Sequence, residues 1–167
     1  LDRVFDVQPM SAATLSVAIR DVTIREGAVT DTGGAGIRHD DDGTLTVEDA
    51  VLTENHVSGT TSSATGGAID AGYGGGSLEL RRLVLSQNSA HRGGAIFHNG
   101  PFAIWDSTFE ANTAAVNGSA IESYDQGSVE RCTFAGNQTA VRSTVDLNAG
   151  SFTLQNSTLS GNTSGAA

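Results

Sequence analysis

The 167-residue chain contains no lysine, a single cysteine and only two prolines. Its nine basic residues are all arginine and are outnumbered by 19 carboxylates, which gives a formal net charge of −10. Because phosphate binding requires a basic surface, this balance argues against nucleic acid as a partner. The lone Cys132 excludes an intramolecular disulfide, and we expect it to be a buried free thiol.

Long apolar runs are also missing. The longest uninterrupted one is Phe102–Trp105, whereas a helix needs about 20 apolar residues to cross a bilayer. We therefore expect no transmembrane segment. Glycine, in contrast, is abundant at 21 residues, and with so little proline this composition excludes both a collagen-like and a disordered chain. It predicts a single domain with many tight turns.

The dominant feature of the sequence is a repeat with the pattern apolar-x-x-Asn. Its asparagines are Asn55, Asn88, Asn112, Asn137 and Asn162, and an earlier copy carries Gly27 in the same place. Successive copies are 28, 33, 24, 25 and 25 residues apart. We expect the asparagines to stack in one column, to occupy a left-handed turn and to bond the copies above and below. The apolar residues of the same repeat should form an inward column: Leu52, Leu85, Phe109, Phe134 and Leu159.

Two further apolar elements recur within each period. Pairs such as Leu45/Val47, Leu78/Leu80 and Phe102/Ile104 alternate with period two, as in short strands with one buried face. A Gly-Gly-Ala-Ile element lies between the pairs and the preceding asparagine, for example at 66–69 and 93–96. Three strand-like pieces in about 25 residues are too few for a propeller blade and lack the leucine consensus of a horseshoe repeat. The pattern predicts an all-β fold, a parallel β-helix (solenoid) of about six coils.

These repeats resemble a known family. The Phe-x-x-Asn and Gly-Gly-Ala-Ile elements resemble those of polymorphic outer-membrane protein repeats, and the opening segment 3–9 resembles β-helix regions of large bacterial surface proteins. The resemblance covers almost the entire chain. It implies a right-handed β-helix, secretion or exposure at the bacterial cell surface, and an adhesive or structural role. We expect residues 1–167 to be one β-helix domain within a longer chain, with neighbouring segments or a partner covering its open ends.

One corner of the coil contains a candidate metal site. The segment 38–43 holds consecutive acids, and Asp70 lies one coil further on. Oxygen ligands on a flexible loop suit calcium, so Asp40, Asp42 and Asp70 could form a site. The alternative is a solvated acidic turn in which Arg38 pairs with Asp70, and this alternative is favoured. No cofactor is expected.

A catalytic site would require clustered carboxylates in a groove, as in β-helical polysaccharide lyases and glycoside hydrolases. The candidates are Glu48, Asp49, Arg81, Arg82 and Asp106. In register, however, these residues form columns of alternating charge, with Glu48 meeting Arg81 and Arg82 lying between Asp49 and Asp106. The four histidines occupy different phases of the repeat, which argues against a metal site or a proton relay.

Three residues are candidate partner contacts: Trp105, Arg81 and Tyr73. Trp105 should point outward beside Arg81, where it either forms a cation–π contact or binds a partner through its exposed ring. Tyr73 lies in the glycine-rich corner that follows Asp70.

The sequence leaves more than one class of function open. It favours a non-catalytic secreted or cell-surface module that contacts a protein or glycan, with a carbohydrate-active enzyme as the alternative. Ice binding would need a flat threonine array, and the column at 23, 51, 84, 108, 133 and 158 is only partly threonine. Evenly paired charges on the faces would support a module, whereas a groove with clustered, unpaired carboxylates would support an enzyme.

Overall fold

The computed structural model describes residues 2–8 and 14–165, and within them the chain forms 24 short strands in four parallel sheets. Each coil contributes one strand to each sheet, and six coils stack. No helix occurs in these residues. The predicted parallel β-solenoid is therefore confirmed.

Each sheet has six strands, which stack in the order in which the chain forms them. Sheet A consists of β1 (Phe5–Val7), β5 (Ile37–His39), β9 (Ile69–Ala71), β13 (Ile96–His98), β17 (Ile121–Ser123) and β21 (Val145–Leu147). Sheet B consists of β2 (Val17–Arg20), β6 (Thr44–Glu48), β10 (Ser77–Arg81), β14 (Phe102–Trp105), β18 (Gly127–Glu130) and β22 (Phe152–Gln155). Sheet C consists of β3 (Thr23–Arg25), β7 (Val51–Thr53), β11 (Val84–Ser86), β15 (Thr108–Glu110), β19 (Thr133–Ala135) and β23 (Thr158–Ser160). Sheet D consists of β4 (Ala28–Thr30), β8 (His56–Ser58), β12 (Ser89–Arg92), β16 (Thr113–Asn117), β20 (Gln138–Thr139) and β24 (Thr163–Ser164).

Sheet D was not predicted, because the sequence pattern indicated three strands per coil. Its strands β8, β12 and β16 begin directly after a ladder asparagine, and each buries a small apolar side chain: Val57, Ala90 and Ala114. A single small apolar residue leaves no period-two signal in the sequence. The coil therefore has four sides and four corners.

The core is built from side chains repeated in register. Leu52, Leu85, Phe109 and Phe134 are fully buried in one column, and the rings of Phe109 and Phe134 stack with centroids 4.7 Å apart. Leu159 continues this register against Phe134 but is 50% exposed, because no described coil covers its outer side. The predicted column is thus confirmed, with Leu159 at its exposed end.

Cys132 is 2% exposed, as predicted, and its thiol lies against the carbonyl oxygens of Ile104 and Glu130. Desolvation raises its pKa above the ordinary value for a thiol. Because the thiolate is the reactive form, burial makes this cysteine a poor nucleophile.

The asparagine ladder forms as predicted and satisfies its own buried amides. Asn112 Oδ1 accepts from the backbone N–H and from Nδ2 of Asn88, both at 3.0 Å. Asn112 Nδ2 donates to Leu85 O at 2.8 Å and to Asn137 Oδ1 at 2.9 Å. At Gly27 only the backbone part remains, since its N–H donates to Asn55 Oδ1 at 3.1 Å.

The left-handed turn residue, however, is not the asparagine, which corrects the prediction. The residue directly before the ladder position has positive φ in every coil: Glu26, Glu54, Gln87, Ala111, Gly136 and Gly161. A non-glycine residue in this region costs roughly 1 kcal/mol or more. The asparagines thus serve as buried connectors between coils, and the adjacent residue makes the turn.

Candidate functional site

A ladder of exposed ion pairs runs along the turn that directly follows the strands of sheet B. Arg82 Nε lies 2.6 Å from Asp49 Oδ1, and Arg131 Nε lies 2.6 Å from Asp106 Oδ1. The hydrogen-bonded arginines lower the pKa of both carboxyls. Arg82 lies between the two acids, as predicted: it forms a salt bridge with Asp49 and adds to the lowering of the pKa of Asp106, whose salt-bridge partner is Arg131.

Glu48 and Arg81 meet as predicted on the neighbouring column of sheet B. Arg81 Nε lies 3.8 Å from Glu48 Oε1, and Arg20 Nε approaches Glu48 Oε2 at 2.9 Å. None of the catalytic candidates on sheet B is therefore a free carboxylate. Exposed pairs of this kind contribute little to stability and give no clustered acid for catalysis.

The predicted cation–π contact is present. The guanidinium carbon of Arg81 lies 4.4 Å from the centroid of the Trp105 ring, on strands paired in register. Trp105 is half-buried as a result. Whether Trp105 and Arg81 contact a partner stays a prediction.

The proposed calcium ligands do not come together. Asp42 is exposed, Asp40 pairs with Arg38, and Asp70 is fully buried and bonded elsewhere. Within residues 2–8 and 14–165 no group of three acidic, histidine or cysteine side chains could hold a metal ion. The acidic corner is instead a structural turn.

Asp41, which the sequence analysis did not single out, makes that turn. Its Oδ1 accepts from the backbone N–H of Leu15 at 2.7 Å and of Gly43 at 2.6 Å. Arg38 stands beside Asp70 in the parallel register, as expected, but the expected ion pair is wrong, because Arg38 bonds to Asp40 on its own coil. The acids at this corner are thus occupied locally.

The histidine prediction needs one correction. His39 and His98 share one inward column of sheet A, because His98 pairs with Ala71 and the pairing of Arg38 with Asp70 places His39, the next residue, at the same position. Both are buried, and His98 places its two ring nitrogens 2.9 Å from Ala71 O and 3.2 Å from Pro101 O. Desolvation lowers the pKa of His98, so it is a packed core residue.

The outer surface of sheet A holds buried acids, which the sequence did not predict. The central residue of each of its strands alternates away from the core, and this column reads Asp6, Arg38, Asp70, Phe97, Glu122 and Asp146. Asp70 and Glu122 are nevertheless 0% exposed. Two ionisable groups on an outward-facing column are thus withdrawn from water, whereas the acids of sheet B are solvated.

Two long connections cover this column. The segment 59–68, between β8 and β9, and the segment 72–76, between β9 and β10, are longer than their counterparts in the later coils. They bound a pocket of about 350 Å³ whose walls include Ser62, Tyr73, Phe97, Asn99, Arg92 and Tyr124. The glycine-rich corner at 72–76 was recognised in the sequence, but the insertion at 59–68 was not.

Asp70 lies behind one wall of the pocket and joins the two long connections. Thr65 Oγ1 donates to Asp70 Oδ2 at 2.5 Å, and the backbone N–H of Gly72 donates to Oδ1 at 2.9 Å. Thr65 and Gly72 both line the pocket. Burial raises the pKa of Asp70 to about 6, against the opposing effect of these two hydrogen bonds.

Glu122 holds the opposite wall. Its Oε1 accepts from Arg92 Nη2 and, at 3.2 Å, from the hydroxyl of Tyr124. Asn117 Nδ2 approaches the same oxygen at 3.4 Å, while Glu122 Oε2 is buried with no partner among the described residues. The buried carboxylate therefore fixes Arg92 and Tyr124, both of which line the pocket.

The aromatic side chains of the pocket are arranged around the arginines. The ring centroids of Phe97 and Tyr124 lie 6.0 Å apart, and the Arg92 guanidinium lies 5.6 Å from each. Arg38 lies 5.6 Å from the Tyr73 ring, which is 63% exposed. The structure thus separates the three predicted contacts: Tyr73 lies in the pocket, whereas Trp105 and Arg81 lie on sheet B.

The pocket residues other than Tyr73 were missed by the sequence analysis. A signal was available, because the residue after each Gly-Gly-Ala-Ile isoleucine falls on one column, and this column contains Asp70, Phe97 and Glu122. The covering segments are insertions outside the repeat, so no periodic pattern indicates them.

Comparison with known proteins gave no match: no family model, no curated protein and no solved structure is similar to this chain. Across the described residues, no helix has the length and apolar character needed to span a bilayer.

Proposed function

We propose that this chain is a non-catalytic interaction module of a secreted or cell-surface bacterial protein, and that the sheet A pocket is its contact surface. The observation that carries the proposal is the pocket itself, where exposed aromatic rings and a fixed arginine lie over buried acids. Aromatic and arginine side chains are enriched at binding hot spots. The adhesive role and the surface location rest on the resemblance to polymorphic outer-membrane protein repeats.

The contrast with sheet B supports this choice of surface. On sheet B each arginine that faces outward is engaged by a neighbouring carboxylate, and the Trp105 ring is covered by Arg81. Tyr73, in contrast, leaves most of its side chain in water. A contact through Trp105 and Arg81 is the competing proposal, and it would require Arg81 to leave the ring.

A carbohydrate-active enzyme is the second candidate, and the specific observation in its favour is Asp70. A buried carboxyl with a pKa raised to about 6 is suited to general acid catalysis. Asp70 is fully enclosed, however, and both of its oxygens are hydrogen bonded. We expect no hydrolysis or lyase cleavage of a panel of polysaccharides. Cleavage that is lost in Asp70→Asn would replace the module proposal with the enzyme.

The proposed function can be tested by adhesion. The chain is displayed on bacterial cells, and their binding to epithelial monolayers and to immobilised cell-envelope material is counted. We expect Tyr73→Ala to reduce attachment strongly and Trp105→Ala, the matched control on sheet B, to leave it unchanged. Loss in Trp105→Ala alone, or equal attachment by all three proteins, would contradict the proposal.

A further inference from the structure

The charges around the pocket are balanced within the protein. Arg92 is bonded to Glu122 and Arg38 to Asp40, and the chain as a whole carries a net charge of −10. An anionic ligand would find no unpaired cation in these two arginines and would be repelled by the overall charge. A phosphate or a uronate is therefore a poor fit.

An arginine also lies beside each aromatic ring of the pocket. Arg92 lies against Phe97 and Tyr124, and Arg38 lies against Tyr73. The positive charge of these guanidinium groups would repel a lysine or arginine of a basic peptide that approached a ring, whereas it does not repel a neutral group. The arrangement disfavours a cationic ligand as well as an anionic one.

The remaining polar groups of the pocket are uncharged or have N–H groups that make no hydrogen bond within the described residues. Arg92 uses Nη2 for Glu122 and Tyr124, and its Nε and Nη1 make no hydrogen bond within residues 14–165. The side chains of Ser62 and Asn99 make none in the same residues and line the pocket. Hydroxyl and amide groups both donate and accept, which matches the neighbouring hydroxyls of a sugar.

The size of the pocket limits the ligand. Small-molecule sites usually enclose about 300–1,000 Å³, and this pocket, at about 350 Å³, lies at the lower end. One ring fits that volume better than a long oligosaccharide. The exposed Tyr73 at the wall provides a flat apolar surface for the CH face of such a ring.

We infer that the sheet A pocket binds a single neutral sugar ring at the end or branch of a glycan. Tyr73 packs on the ring, and Arg92, Ser62 and Asn99 bond its hydroxyls. Glu122 and Asp70 are positioning residues that hold the two walls and do not touch the ligand. The inference rests on the proposed contact surface and specifies its ligand.

Calorimetric titration tests the inference. The whole chain is titrated with a panel of neutral methyl hexopyranosides and N-acetylhexosaminides. The controls are the methyl glycosides of the corresponding uronic acids, which carry a free carboxylate, and a lysine-rich peptide. We expect at least one neutral glycoside to bind at millimolar concentrations and its uronate to bind more weakly. Tyr73→Ala should weaken binding about tenfold, equivalent to about 1.4 kcal/mol, and Trp105→Ala should not change it.

The outcomes separate this inference from the proposed function. Binding of no neutral glycoside, or a preference for the uronate or the peptide that is lost in Tyr73→Ala, overturns the sugar ligand. If adhesion still depends on Tyr73 in that case, the contact surface stands with a different ligand. If neither adhesion nor glycoside binding depends on Tyr73, both proposals are overturned.

Discussion

Sheets A and B each have six parallel strands and share one core, yet the charged residues on their outer surfaces differ in exposure to water. Along sheet B and the turn that follows it, acids and arginines pair while partly exposed to water, as with Asp49 and Arg82. On sheet A, Asp70 and Glu122 are buried under inserted segments and aromatic rings. The comparison shows that, in this solenoid, insertions at the corners and not the repeat itself create the pocket.

The largest loss of stability is expected from a substitution in the core that sheets A and B share. Phe109→Ala should lower the free energy of unfolding by about 3–5 kcal/mol, because it leaves a cavity beside Phe134 in a fully buried column. Urea denaturation measures this loss. A loss below about 1 kcal/mol would mean that the column does not form the core.

The next substitution contrasts the two faces directly. Glu122→Ala removes the buried partner of Arg92 and should cost about 3 kcal/mol. Asp106→Ala removes an acid of the same charge from an exposed pair with Arg131, where water screens the loss, so its effect on stability should be far smaller. Equal losses in the two variants would show that the faces do not differ in solvation.

The response to pH should have opposite signs on the two faces. The pKa of Asp70 is raised in the folded state to about 6 from 3.8, so its stabilising contribution is present below about pH 4 and is lost as the pH rises through 6. Arg38 and Asp40 are the charged groups that act on it, with opposite effects. Asp49 and Asp106 have lowered pKa values, so their contribution is present above about pH 4 and is lost at lower pH.

Denaturation at pH 4 and pH 7 measures the Asp70 contribution. The stability of the wild-type chain relative to Asp70→Asn should increase on acidification, by at most about 3 kcal/mol. A difference between the two proteins that does not depend on pH, or that shrinks on acidification, would contradict the burial of an ionisable Asp70.

The smallest effect is expected at the aromatic residue of sheet B. Trp105→Ala removes the contact with Arg81 and should cost about 1 kcal/mol, the scale of a partly exposed cation–π contact. Arg81→Ala removes the same contact by deleting the guanidinium group and should lower the stability by a similar amount. If the double variant is no less stable than either single one, the pair accounts for the effect, whereas full additivity would show that the two residues do not interact.

The sequence predicted the parts of the fold that repeat. The asparagine column, the inward Leu/Phe column, the burial of Cys132 and the Glu48–Arg81 pair all follow from period and register. Sheet D could not be predicted, because Ala90 and Ala114 are too small to produce an alternating pattern. The left-handed turn residue was misplaced by one position, since Gln87 and Ala111 have side chains that do not favour that conformation.

The candidate site was less predictable for a physical reason. Whether an outward side chain is solvated depends on what lies above it. Asp70 is enclosed by the inserted segments 59–68 and 72–76, and Glu122 is enclosed by the side chains of Arg92 and Tyr124. Tyr73 was singled out as an exposed aromatic residue, but its proximity to Phe97 and Tyr124 depends on how the glycine-rich corner folds. Register alone therefore identifies the column, and only the structure shows that it is covered.

The binding of neutral sugars in the sheet A pocket is tested most directly by locating the surface that the sugars contact. Amide ¹H–¹⁵N spectra of the whole chain are recorded during titration with the neutral methyl glycosides. We expect shifts at Gly72, Arg92 and Asn99 around the sheet A pocket, and none at Arg81 and Trp105. Shifts that cluster on Arg81 and Trp105, or no shifts at millimolar glycoside, would contradict this expectation.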